Sequence, residues 1–153
     1  MKVTPPQVNT LTFFKLPSAW WCGVRVNTLT ETACEVKVRH RWINQNPFRS
    51  MFWAVQGMAA ELSTGTLLMQ EMAKRKISIS MLLVGNKSKF TKKATGRIRF
   101  TCNQGDAVKK AFEQAVESKE GLAFWLDSKG VDTSGDVVSE FSFCWSIKLK
   151  NTS

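Results

Sequence analysis

Histidine occurs once in the 153 residues, as His40, and the four cysteines form no CxxC pair. The first scarcity leaves a Ser–His–Asp site only one histidine to use, and no nucleophile elbow accompanies it. A single histidine on a core-facing strand position is either hydrogen-bonded structure or a catalyst. The spacing of the cysteines removes the usual signals of a zinc site or a redox pair. Acidic residues are also few: 12 Asp and Glu against 22 Lys and Arg, a formal net charge of +10 and a pI near 9.8. Such an excess suits either an anionic partner (nucleic acid, anionic lipid, a phosphate-bearing small molecule) or a basic surface kept for solubility. The opening residues, MKVTPPQVNT, have no apolar signal core. No repeat, low-complexity run or linker interrupts the chain. These features predict one domain over residues 1–153, long enough for a sizeable core. They also predict a cytoplasmic protein whose Cys22, Cys34, Cys102 and Cys144 stay reduced, although an even count leaves disulfides open.

Against this background one stretch stands out. Between Ser50 and Gln70 the only charged residue is Glu61. A helix that is apolar all round is a buried helix, and a carboxylate within it needs a partner or a purpose. The run is long enough to cross a bilayer, but its glutamate, glutamines, serines and threonines argue against that. Asn46 and Pro47 suit an N-cap and first helical position, and Lys74, Arg75 and Lys76 suit a C-terminus. The expected helix therefore covers about 47–73. Gly57 and Gly65 each cost about 1 kcal/mol relative to alanine in a helix, which packing or a ligand must offset.

Around it the pattern alternates. Ala33–Trp42 reads as a strand with Cys34, Val36, Val38, His40 and Trp42 on its buried face. Further strands are expected over Trp20–Leu29, Ile77–Val84, Ala94–Asn103, Leu122–Val131 and from Val137 to Leu149. GNKSKFTKK, residues 85–93, carries four lysines in or near an expected hairpin turn. Residues 5–16 predict a short helix within an N-terminal cap (1–18), and about 106–119 an amphipathic helix ended by Gly121. The order predicts an α+β architecture, with a mostly antiparallel sheet of about six strands wrapped around the long central helix.

From about Trp20 to Leu149 this pattern resembles the hotdog fold, specifically the acyl-CoA thioesterase superfamily. An Asn precedes the central helix and a carboxylate follows fifteen positions later on it; here these are Asn46 and Glu61. The phrase NPFRSMFWAVQGMAAELSTG looks like a branch of the superfamily catalogued as a domain of unknown function. Two departures stand out. The position of the frequent His-Gly-Gly, six residues after the Asn, holds Phe52, Trp53 and Ala54. The helix at 106–119 is absent from the simplest members.

The resemblance implies hydrolysis of an acyl-CoA or acyl-carrier thioester, with no cofactor beyond the coenzyme A of the substrate. It implies a homodimer or a pair of dimers, since the family builds its site between subunits. Glu61 would activate water or attack the carbonyl, Asn46 would orient water or thioester, and Ser80 would come from the partner subunit. Backbone N–H groups near Phe48–Met51 would polarise the carbonyl. Phe48, Ser50, Met51, Phe52 and Met58 would line the acyl site, while Lys87, Lys89 and Arg97 would meet the phosphates. Each has a plainer reading: Glu61 hydrogen-bonded at an interface, Asn46 a helix cap, Ser80 a strand residue, Met51 and Met58 core, the lysines a solvated turn. A binding module without turnover is the alternative function. Phe90 is the only aromatic inside the lysine cluster, too little for nucleic acid, and no membrane partner is expected.

Overall fold

The computed structural model describes residues 3–150. Two short helices, α1 (Pro5–Lys15) and α2 (Pro17–Trp21), lead into the hairpin of β1 (Arg25–Leu29) and β2 (Cys34–Arg39). The long helix α3 (Trp53–Arg75) follows, then β3 (Ile79–Phe90), β4 (Arg97–Cys102), α4 (Gly105–Ser118), β5 (Leu122–Val131) and β6 (Val137–Leu149). The strands form one six-stranded sheet in the order β1-β2-β4-β5-β6-β3, every pair antiparallel. The sheet packs its apolar face on α3. This is the hotdog architecture that the sequence pattern implied.

The alternating positions of β2, β4, β5 and β6 supply the inner face. Val36, Val38, Ile98, Phe100, Leu126, Phe141, Phe143, Trp145 and Ile147 are all buried there. Polar groups fix how α3 sits on them. Trp145 Nε1 donates to Thr64 Oγ1 at 3.0 Å, and Ser139 Oγ donates to Gln56 Oε1 at 2.7 Å. Ser63 and Ser128 share a hydroxyl–hydroxyl bond of 2.8 Å. The two helix glycines lie against rings. A Cβ on Gly57 would sit 3.6 Å from the Phe141 ring, and one on Gly65 would sit 3.5 Å from the Trp145 ring. Both distances are ordinary van der Waals contact, so the rings lie against these glycines without excluding a methyl group.

α4 lays Val108, Ala111, Phe112 and Ala115 on the core. It ends at Lys119, which takes the left-handed conformation with φ 58°, two residues before the glycine expected to stop it. Arg75, at the end of α3, bridges Glu71 on its own helix and Glu113 on α4. All four cysteines are free thiols, with Cys34 and Cys102 directly opposite across β2 and β4. Burial pushes the Cys34 thiol up to about 12 and the Cys102 thiol up to about 11, so both stay protonated.

Several boundaries differ from the sequence reading. Trp20 and Trp21 belong to α2, because Pro17 starts a helix there and Gly23, at φ +85°, ends the turn that follows it. β2 stops at Arg39, and Trp42 is 83% exposed in a 3-10 turn (Trp42–Asn44) instead of facing the core. Asn44 causes this: its Nδ2 donates to the carbonyls of Arg39 and Cys22, and its Oδ1 accepts from the Arg41 N–H. His40 follows β2 with its Nε2 buried and without a partner among the described residues. The lysine-rich segment is no hairpin turn. β3 runs on through it to Phe90, paired with β6 along its whole length.

The two kinds of glycine contact make opposite predictions. Gly65→Ala places its methyl in ordinary van der Waals contact, so it should raise stability by about 1 kcal/mol through helix propensity. Gly130→Ala puts a Cβ 2.5 Å from the Phe100 ring, and forcing that ring aside should cost about 1–3 kcal/mol. Thr64→Val leaves the buried Trp145 N–H without an acceptor and should also cost about 1–3 kcal/mol. Urea unfolding midpoints of the three variants check the ranking.

Candidate active site

α3 begins six residues later than expected, and the reason lies in Asn46. Its side chain does not cap the helix. Instead Oδ1 accepts from the N–H groups of Phe48 (2.9 Å) and Ser50 (3.2 Å), and Nδ2 donates to Ser50 Oγ at 3.0 Å. Its backbone N–H reaches the Ser50 carbonyl at 2.8 Å. The loop closed in this way holds Arg49 in the left-handed region at φ 59°. Met51 then donates to the Ala94 carbonyl and Phe52 to the Asn44 carbonyl, which fixes the entry to the helix, where Phe52 is the N-cap residue.

The N–H groups of Phe48, Arg49, Ser50 and Met51 are thus all engaged inside the chain. They cannot serve as the carbonyl-polarising donors expected there. The donors left over are one step further on. Among the described residues, the N–H groups of Trp53 and Ala54 meet no acceptor. They are the first two amides of a 23-residue helix, where the helix dipole favours an anion.

A cleft of about 630 Å³ opens beside this helix start. Asn46, Phe48, Ser50, Met51 and Phe52 all line it, so five of the residues singled out in the sequence meet at one place. Their roles differ physically. Phe48 is 73% exposed and Phe52 about half exposed, whereas Met51 and Ser50 are buried. Gln56, Phe90, Lys92 and Lys93 complete the rim. Lys92 is already held by Asp132 (2.6 Å) and Asp136 (2.7 Å), and Lys93 Nζ lies 3.4 Å from the Phe48 carbonyl.

Glu61 lies two turns further along α3, away from this cleft. It is partly buried, and its carboxylate has no hydrogen bond or ion pair among the described residues. Desolvation therefore holds its pKa above the ordinary glutamate value of 4.5. It shares the half-open side of α3 with Ala54, Gly57, Met58 and Gly65. Small neighbours leave room around the carboxylate, and Met58 is partly buried against the core.

Ser80 is exposed on β3 opposite Lys148. β3 is an edge strand bonded only to β6. The three residues expected to meet phosphates do not come together. Lys87 and Lys89 lie on β3, with the Lys87 ammonium 4.9 Å over the Trp125 ring, whereas Arg97 is on β4, with β5 and β6 between them. The sequence reading placed them in one hairpin, and the crossover from β3 to β4 separates them. Asn44, which holds the helix entry and the end of β2 together, escaped notice. Nothing in its sequence context distinguishes it from any loop asparagine.

The fold is shared with solved structures. A protein of unknown function from Pseudomonas aeruginosa, named a probable thioesterase, superposes with TM-score 0.85 at 19% identity, covering 98% of this chain and 99% of its own. A protein of unknown function from Chlorobaculum tepidum gives 0.81 at 15% identity, covering 97% and 99%. A thioesterase from Haemophilus influenzae gives 0.73 at 9% identity, covering 100% and 97%. No curated protein matches the sequence. The model of a domain of unknown function, DUF4442, matches residues 6–147, and the chain belongs to that family.

Proposed function

We propose that the chain hydrolyses acyl-CoA or acyl-carrier thioesters, with Glu61 as general base, in a site completed by a second copy. The observation that carries this is the state of Glu61. A carboxylate with no partner, held above its normal pKa on a helix face lined by small residues, costs stability, and groups kept at such a cost concentrate at functional sites. A carboxylate raised in this way is a stronger base toward water than an ordinary glutamate. The water oxygen attacks the thioester carbonyl, and the oxygen that becomes negative is met by the free N–H groups of Trp53 and Ala54. Collapse of the tetrahedral species expels the thiolate, which takes up the proton.

The two halves of this machinery do not meet within one chain. Trp53 and Glu61 are eight residues apart on one helix, about 12 Å along its axis. Both would have to lie within hydrogen-bond reach of one reacting carbonyl and its water. A partner's helix running antiparallel would bring its Glu61 to this chain's helix start. The free side of β3 supports that arrangement. It is a twelve-residue edge whose Leu82 and Val84 are exposed, the kind of edge that a second copy covers. Ser80, on the same strand, would then stand at the boundary between the copies.

Phe52 favours the second reading, a module that binds thioesters without turning them over. It occupies the helix N-cap and offers no donor to the carbonyl. Backbone amides alone would then have to polarise the substrate.

Glu61→Gln decides between the two. For the enzyme, thiol release from a panel of acyl-CoAs should fall by about 10²-fold or more while acyl-CoA binding persists; wild type that binds acyl-CoA without releasing thiol establishes the module instead. Because the folded pKa of Glu61 is raised, the native state binds its proton more tightly than the unfolded chain does. Its stabilising contribution is present at low pH and lost as pH rises through the folded value. Glu61→Gln should therefore melt no lower than wild type at pH 7, and wild-type activity should fall on the acid side at a pH above the ordinary 4.5 of a glutamate.

Sharing of the site between copies has its own test. Mixed and refolded Glu61→Gln and Asn46→Ala subunits should recover about a quarter of wild-type activity, since half of the dimers keep one intact site. No recovery would place Glu61 and Asn46 of one chain in the same site.

A further inference from the structure

We infer that the β1 end of the sheet is a docking surface for an anionic lipid bilayer. This stands apart from the thioesterase reading and reverses the expectation that the protein has no membrane partner.

The surface is built from cations placed directly opposite one another. In the strand register Arg25 faces Lys37, Lys37 faces Arg99, and Arg39 faces Arg97. Like charges opposite across strands destabilise a sheet, yet three such pairs occur on one outward face. Arg41 adds a sixth charge, its guanidinium lying directly over Gly23, where a Cβ would overlap it. Among the described residues none of the six is in an ion pair. The only acid on β1, β2 or β4 is Glu35, which accepts from Asn27 Nδ2, and Asp132, beside Arg97 and Arg99, is taken by Lys92.

The flanks of this field are apolar and exposed. Phe14 (71%), Leu16 and Trp21 (66%) project from the α1–α2 corner, and Trp42 and Ile43 from the 3-10 turn. Arg25 joins corner and field: its guanidinium stacks 3.3 Å over the Trp20 ring and donates to the Trp20 carbonyl. Asn44 joins the two flanks, since its side chain ties the 3-10 turn to the carbonyl of Cys22, next to Trp21.

A cation field rimmed by tryptophan, phenylalanine and aliphatic side chains matches the interfacial zone of an anionic leaflet. There aromatic rings sit at headgroup depth, and each surface cation adds attraction. Nucleic acid would ask for aromatics among the cations, where bases stack, and has no use for Leu16 or Ile43. An acidic protein would satisfy the charges but leave that apolar rim unexplained. The opposite edge of the sheet, β3, is the one left for a second copy, so both surfaces can be occupied together.

The test is co-sedimentation of the full chain with vesicles of phosphatidylcholine alone and with about one third phosphatidylglycerol, at about 0.1 M salt. Binding should be about tenfold tighter or more to the anionic vesicles and should weaken steeply with salt. Arg39→Glu with Arg97→Glu should remove most of that preference. Trp42→Ala, at unchanged charge, should weaken binding about fivefold. Neither arginine side chain makes a hydrogen bond inside the chain, and Trp42 is mostly solvent-exposed, so melting temperatures should hold. If the charge-reversal pair melts early, the salt dependence of wild type decides. Equal or absent binding to the two vesicles overturns the inference. So does binding to duplex DNA or polyglutamate without vesicle binding, full competition by soluble glycerol phosphate, or a Trp42→Ala variant that changes oligomeric state.

Discussion

Trp145 reaches α3 twice: its indole N–H ends on the Thr64 hydroxyl, and its ring lies against Gly65. A helix with one charge between Trp53 and Gln70 has little in its apolar surface to say which side should face the sheet. Hydrophobic contact is non-directional and would tolerate a rotated helix. The buried hydroxyls and the Gln56 amide would not, because a rotation of one residue would leave them unpaired in a dry core. These bonds, with the two glycine seats for rings, set the rotation of α3. That rotation in turn puts Glu61 on the one side of the helix that the sheet leaves half open.

The approach to the helix is as tightly specified as its seating. Asn44 and Asn46, two residues apart, spend their side chains on backbone groups of the loop. Together they satisfy the donors that would otherwise lie ahead of the helix, so the free amides fall at Trp53 and Ala54. An asparagine as N-cap would have occupied one of these amides with its own side chain. The chemistry proposed for this end of α3 therefore depends on Asn46 not being a cap.

The sheet has two edges with different characters. β3 is long, partly apolar and open on one side, while the β1 end carries cations that oppose one another across strands. The net charge of +10 is thus not spread evenly for solubility. Part of it is absorbed, as with Lys92 between two aspartates or Arg75 between two glutamates, and part is concentrated on one face. Each edge leaves polar or charged groups that the chain itself does not satisfy.

The fold was legible wherever a period persists. β5 and β6, the amphipathic stripe of α4 and the charge-poor α3 follow from spacing alone, because side-chain direction in a strand or helix repeats and burial selects for it. The separation of Asn46 and Glu61 carried a family resemblance, but within the chain Glu61 lies away from the cleft that Asn46 lines. What spacing could not supply was anything decided by a partner distant in sequence. Trp42 fits the alternation of β2 but is thrown outward because Asn44 bonds to Cys22, twenty-two residues back. Lys87 and Arg97 are near in sequence but lie on strands separated by β5 and β6, because β3 pairs with β6 and not with β4. The engagement of the Phe48–Met51 amides, the free ones at Trp53 and Ala54, and the cation pairs across β1, β2 and β4 exist only in the folded chain. Local periodicity determines which residues are buried; strand order and side-chain-to-backbone bonds across long separations decide which of the rest meet.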